Sequence, residues 1–81
     1  MENINLIFDF AGNKLTMQVL KSDKIDDVIQ RFCTKAQVNR GDVKFYFDSR
    51  EFNVSGKTIE QLNLQNFVTF TVVIDKTLKG A

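Results

Sequence analysis

Cys33 is the only cysteine in the chain, and there is no histidine. Those two facts remove most of the chemistry a small domain could perform. A thiol becomes a nucleophile when a His or a close cation draws off its proton. Cys33 follows the apolar Phe32 and has no cation at a spacing that fixes it beside the sulfur. One Cys without His supplies no zinc site of the usual kind, and no metal or cofactor is expected. The residue reads as a buried structural thiol, suited to a reducing compartment because it has no intrachain disulfide partner. No catalytic residue is assigned, and the chain is expected not to be an enzyme.

The lysines at positions 14, 21, 24, 35, 44, 57, 76 and 79 are scattered rather than striped, and the formal net charge is only +1. Nothing here gathers nucleic acid or an anionic membrane by its field. No apolar run approaches the ~20 residues of a membrane span, and MENINLIFDF lacks the basic start of a signal peptide. Neither nucleic acid nor a membrane is an expected partner, and the expected state is an intracellular monomer. Eighty-one residues make one small domain, and the eight Phe supply much of its core volume.

The elements that carry these residues follow from periodicity. In residues 4–10, Ile4, Leu6, Phe8 and Phe10 alternate with Asn5, Ile7 and Asp9, which is a strand. A turn at 11–13 leads into a second strand over 14–21, with Leu15, Met17 and Val19 on one face. The period then changes to that of a helix: Ile25, Val28, Ile29, Phe32, Cys33 and Ala36 form one stripe. Ser22 or Asp23 can cap it, Asp26 and Asp27 oppose its dipole, and Asn39-Arg40-Gly41 ends the segment. Val43, Phe45 and Phe47 point inward on a third strand, followed by the turn DSRE and a short strand near Phe52. Thr58 to Gln61 fits a capping box and predicts a short helical turn that tucks in Ile59, Leu62 and Leu64. Residues 67–75 are apolar on both faces, as a central strand should be. The expectation is an α+β fold: a mixed five-stranded sheet of order ββαββ-short helix-β packed on one helix. The strand at 67–75 lies in its middle beside residues 4–9, and the strands at 14–21 and 51–53 form the edges. Phe8, Val28, Phe32, Phe45, Phe47, Leu62, Phe70 and Val72 should share one core.

This order resembles ubiquitin, the β-grasp arrangement, and the central stretch is more similar to the small ubiquitin-like modifier (SUMO) family. From Ile25 to Asp48 the correspondence runs without a gap. Phe32-Cys33 stands where that family carries an aromatic-cysteine pair, and VKFYFD (43–48) matches its I-R-F-R-F-D-like strand. TIEQLNL (58–64) resembles its T-P-A-Q-L-E-M-like turn, after a loop one residue longer. The likeness spans most of an expected domain at 1–76, leaving 77–81 as a flexible tail or linker.

The resemblance implies two surfaces. The sheet face by which ubiquitin is recognised falls on Phe10, Tyr46, Thr71 and Val73. A second surface, the groove where SUMO-like proteins receive an extended peptide as an added strand, falls on Met17, Gln18, Leu20, Val28 and Lys35. Family lysines there correspond to Gln18 and Leu20, and a basic helix position to Asp27, which weakens docking of acidic-flanked peptides. The function so implied is a non-catalytic interaction domain, one unit of a larger or polyubiquitin-like precursor. The rival is a conjugatable modifier, joined to target lysines through its processed C-terminus or released from a precursor by an intein-like neighbour. That chemistry uses a terminal Gly-Gly, whereas this chain carries Gly80-Ala81. A sulfur carrier would need the same terminus.

Overall fold

The computed structural model describes residues 3–74. Strand β1 (Asn3–Phe10) and β2 (Asn13–Leu20) precede helix α1 (Ile25–Ala36), a 3-10 turn at Arg40–Asp42, β3 (Val43–Phe47), β4 (Arg50–Glu51) and β5 (Val68–Ile74). The sheet order is β2-β1-β5-β3-β4. β1 and β5 run parallel, Leu6 opposite Val68, and the other neighbours are antiparallel. β5 is thus central and β2 and β4 are the edges, as expected, although β4 is Arg50–Glu51 rather than 51–53, because the turn takes only Asp48 and Ser49.

Local chemistry explains the turns. Ala11 and Gly12 both take positive φ (54° and 83°), and so do Asp48 and Ser49 (56° and 68°). Each pair is a two-residue connection whose left-handed backbone matches the strand twist. The helix start differs from expectation. The cap is Lys24, with no side-chain hydrogen bond. Its neighbour segment supplies the order instead, since the Ile25 amide donates to the Lys57 carbonyl at 2.8 Å. Asp23 turns the other way: its Oδ2 accepts from the Leu20 amide at 2.9 Å and pairs with Arg31 at 3.2 Å. The helix also stops before Asn39. Gln37 takes the left-handed conformation and its amide closes on Cys33 and Thr34, a role glycine usually fills.

The capping box forms as read: the Thr58 amide donates to Gln61 Oε1 at 2.9 Å and the Gln61 amide to Thr58 Oγ1 at 3.1 Å. It closes hydrogen-bonded turns over 59–63 rather than a helix, because Asn63 already reverses to φ 56°. Ile59 is fully buried there, while Leu62 and Leu64 are half-buried.

One core joins the sheet to α1. Ile4, Leu6, Phe8, Met17, Val19, Ile25, Val28, Ile29, Phe32, Cys33, Val43, Phe45, Ile59, Phe70 and Val72 are all buried. Phe47 and Leu62 pack against it half-buried. Phe8 is the hub, its ring 4.6 Å from Phe32, 5.5 Å from Phe70 and 6.1 Å from Phe45. Among the described residues no charged or polar side chain is buried, so the core carries no desolvation cost.

Candidate interaction surfaces

Strand alternation that buries Phe45, Phe70 and Val72 turns Tyr46, Thr71 and Val73 to the helix-free face. Tyr46 lies directly opposite Thr71, and Val73 opposite Lys44. Thr71 is in turn beside Asp9, which faces Lys14, while Tyr46 faces Glu51 on the other side. The result is an apolar spot of Tyr46 and Val73, the latter 44% exposed, bounded by side chains of both charges. Ile74, 48% exposed, has the parity of Phe70 and Val72 and belongs to the other face, where it lines an open cleft of about 170 Å³ with Gln37, Val38, Asn39, Asp42 and Val43.

Phe10 does not belong to this face. It shares the inward parity of Phe8, is half-buried, and meets Phe32 edge-on at 6.0 Å. The alternation of β1 already placed it there; the position implied by the resemblance is corrected. The groove residues are likewise not brought together. Met17 (5% exposed) and Val28 (0%) are core members. Gln18 lies exposed, and Leu20 half-buried, on the opposite side of β2, and Lys35 stands exposed in the last turn of α1. The Leu20 end of the β2 edge is closed as well, because its amide is held by Asp23 Oδ2 and its carbonyl accepts from the Asp23 amide at 3.0 Å. Gly80 and Ala81, the residues of the conjugation alternative, lie outside the described residues.

Cys33 is buried, and burial pushes its thiol above the ordinary value, with the Arg40 charge pulling weakly the other way. That Arg40 lies 5.2 Å over the Phe45 ring, a packing role rather than an activating one. Among the described residues no group of three or more His, Cys, Asp or Glu could hold a metal, and no helix is long and apolar enough to cross a membrane.

One exposed residue escaped the sequence reading. Phe67, placed inside the last strand by its apolarity, stands just before β5 with φ 67° and is 57% exposed.

No curated protein sequence matches the chain. The ubiquitin of Caldiarchaeum subterraneum is similar in structure, with a TM-score of 0.78 over 90% of this chain and 94% of that one. At 14% identity that likeness speaks for the fold. The sequence matches the family described as Ubiquitin-2 like Rad60 SUMO-like over residues 3–74, all of the described domain. With its β-grasp sheet and SUMO-like central stretch, the chain belongs to this family of ubiquitin-like domains.

Proposed function

We propose that the domain is a non-catalytic protein-interaction module recognised through the helix-free face of its sheet, by receptors of ubiquitin-like domains or by conjugation machinery. The observation that carries this is the diagonal placement of outward Tyr46 and Val73 on the neighbouring strands β3 and β5. An aromatic and an aliphatic side chain, set in a rim of Lys14, Asp9, Glu51 and Lys44, make an anchor with charged surroundings. Cys33 is buried and protonated at neutral pH.

Tyr46→Ala and Val73→Ala test the reading. Neither opens a core cavity, so Val73→Ala should move stability by no more than about 0.5 kcal/mol. Loss of the Tyr46 cross-strand contact should cost about 0.2–1 kcal/mol. Binding to a ubiquitin-like-domain receptor should fall at least about tenfold, or about 1.4 kcal/mol. Amide shifts on titration should centre on Tyr46, Thr71 and Val73. Shifts centred on Met17, Val28 and Lys35 would refute the assignment.

A further inference from the structure

The helix-free face of the sheet continues past Tyr46 and Val73. Alternation along β5 sets Thr69, Thr71 and Val73 outward in one column, all exposed. Phe67 stands at the head of that column. Val68 beside it packs against the core, which leaves the Phe67 ring to the opposite face, 57% exposed. Its backbone is fixed there: the Phe67 amide donates to the Asn5 carbonyl at 2.6 Å, and Asn66 Oδ1 accepts from the Asn5 amide at 2.7 Å. The left-handed φ of 67° is one that aromatic L-residues seldom adopt, an outlier that points to a use.

Apolar groups recur at each outward rung of the ladder. Phe67 occupies the first. Ile7, half-buried on β1, lies opposite Thr69 at the second. Tyr46, half-buried on β3, lies opposite Thr71 at the third, and Val73 itself is the fourth. These four zigzag about the axis of β5 over about 20 Å. No outward residue of β5 is charged. The charges stand to its sides: Asp9 beside Thr71 with Lys14 beyond it, Glu51 beyond Tyr46, and Asp48 and Arg50 at the turn into β4.

We propose, resting on the interaction module described above, that Phe67 and Ile7 are further anchors of the same site, and that one amphipathic helix of the partner reads the strip from Phe67 to Val73. The choice of a helix is physical. The sheet's own backbone groups are taken up by its ladder, so an extended segment laid on this face would leave its N–H and C=O groups without partners. A helix satisfies its own internally. A second sheet would cover the whole face and desolvate Lys14, Asp9 and Glu51. A helix about 10–12 Å across reaches one strand to either side of β5, at a spacing of about 4.8 Å, and keeps its polar flanks over those charges. About 14 helical residues, rising about 1.5 Å each, match the length of the strip. Thr69 and Thr71 form a low floor on which such a helix can rest between the rings of Phe67 and Tyr46.

The test titrates the full chain with a synthetic amphipathic helix of about 16 residues, Leu recurring every three or four positions and Glu and Lys elsewhere, held helical by a side-chain cross-link. Amide shifts should form one continuous track through Ile7, Phe67, Thr69, Thr71, Tyr46 and Val73. Phe67→Gly keeps the left-handed backbone and the fold, and should weaken binding about tenfold, as Tyr46→Ala should. Shifts confined to Tyr46 and Val73, with Phe67→Gly binding as the parent does, overturn the strip and leave the module reading standing. No response to the helix on this face overturns it as well. The module reading is checked separately, by Tyr46→Ala against a ubiquitin-like-domain receptor; if that variant binds the receptor as the parent does, both fall.

Discussion

Phe8→Ala should come close to unfolding the domain. The ring is 1% exposed and touches three other rings, at 4.6, 5.5 and 6.1 Å. Truncating a buried Phe costs about 3–5 kcal/mol. Each aromatic pair adds about 0.5–1.5 kcal/mol beyond area, which moves Phe8 to the top of that range, about 5 kcal/mol. Small domains have only about 5–15 kcal/mol to lose, and one of 81 residues sits near the bottom of that span. Phe52 is the control: half-buried, it meets Phe70 at 5.0 Å and Phe47 at 6.4 Å at the rim of the core. Phe52→Ala should cost roughly 2 kcal/mol. Urea unfolding followed by circular dichroism measures both. Should Phe8→Ala be unfolded at the outset, Phe8→Leu, at about 1.5 kcal/mol, keeps the comparison measurable. A loss below about 2 kcal/mol for Phe8→Ala, or one no larger than that of Phe52→Ala, would refute the hub and the register that builds it.

Thr58→Ala removes one arm of the reciprocal cap at 3.1 Å and should cost about 1 kcal/mol in thermal unfolding, with Gln61→Ala costing a similar amount. Cys33 should react with thiol reagents at neutral pH only as fast as the domain opens, since it is 1% exposed. Burial raises its folded pKa above the ordinary 9.0, so the unfolded chain ionises first. The resulting stability is complete below that pH and is lost as pH rises toward the folded pKa; Cys33→Ala should lack this alkaline component in urea titrations. Phe67→Gly should be neutral or up to about 1 kcal/mol stabilising by melting, because relief of the left-handed strain outweighs glycine's extra chain entropy.

The fold was legible because its signals were redundant. Period two in β1, β2 and β3, a continuous helical stripe from Ile25 to Ala36, and an all-apolar β5 each named an element, and together they admit few topologies. The boundaries were less legible because backbone partners from elsewhere decide them. Nothing near Lys24 in the sequence says that its helix will start on the Lys57 carbonyl, or that Asp23 will serve Leu20 and Arg31 instead of the cap. The Thr58 box was read from its spacing, yet whether such a box opens a helix or only a turn depends on Asn63, whose positive φ is set by the loop that must reach β5.

The surfaces divide by the same logic. Tyr46 and Val73 could be placed because each stands next to a core residue in a regular strand, and parity carries outward what it does not carry inward. Phe10 obeys that parity too, and it was assigned to the outer face only by analogy with another sequence; its edge contact with Phe32 shows the periodicity to be the better guide. Phe67 is the opposite case. By type it belongs to the apolar run FVTFTVV, and an extended backbone would have made it one more strand residue. It stands out to 57% exposure because Asn5 and Asn66, 61 residues apart, bend the chain at that point. A long-range hydrogen bond of that kind leaves no period in the sequence, so side chains displayed by a local reversal have to be found in the structure.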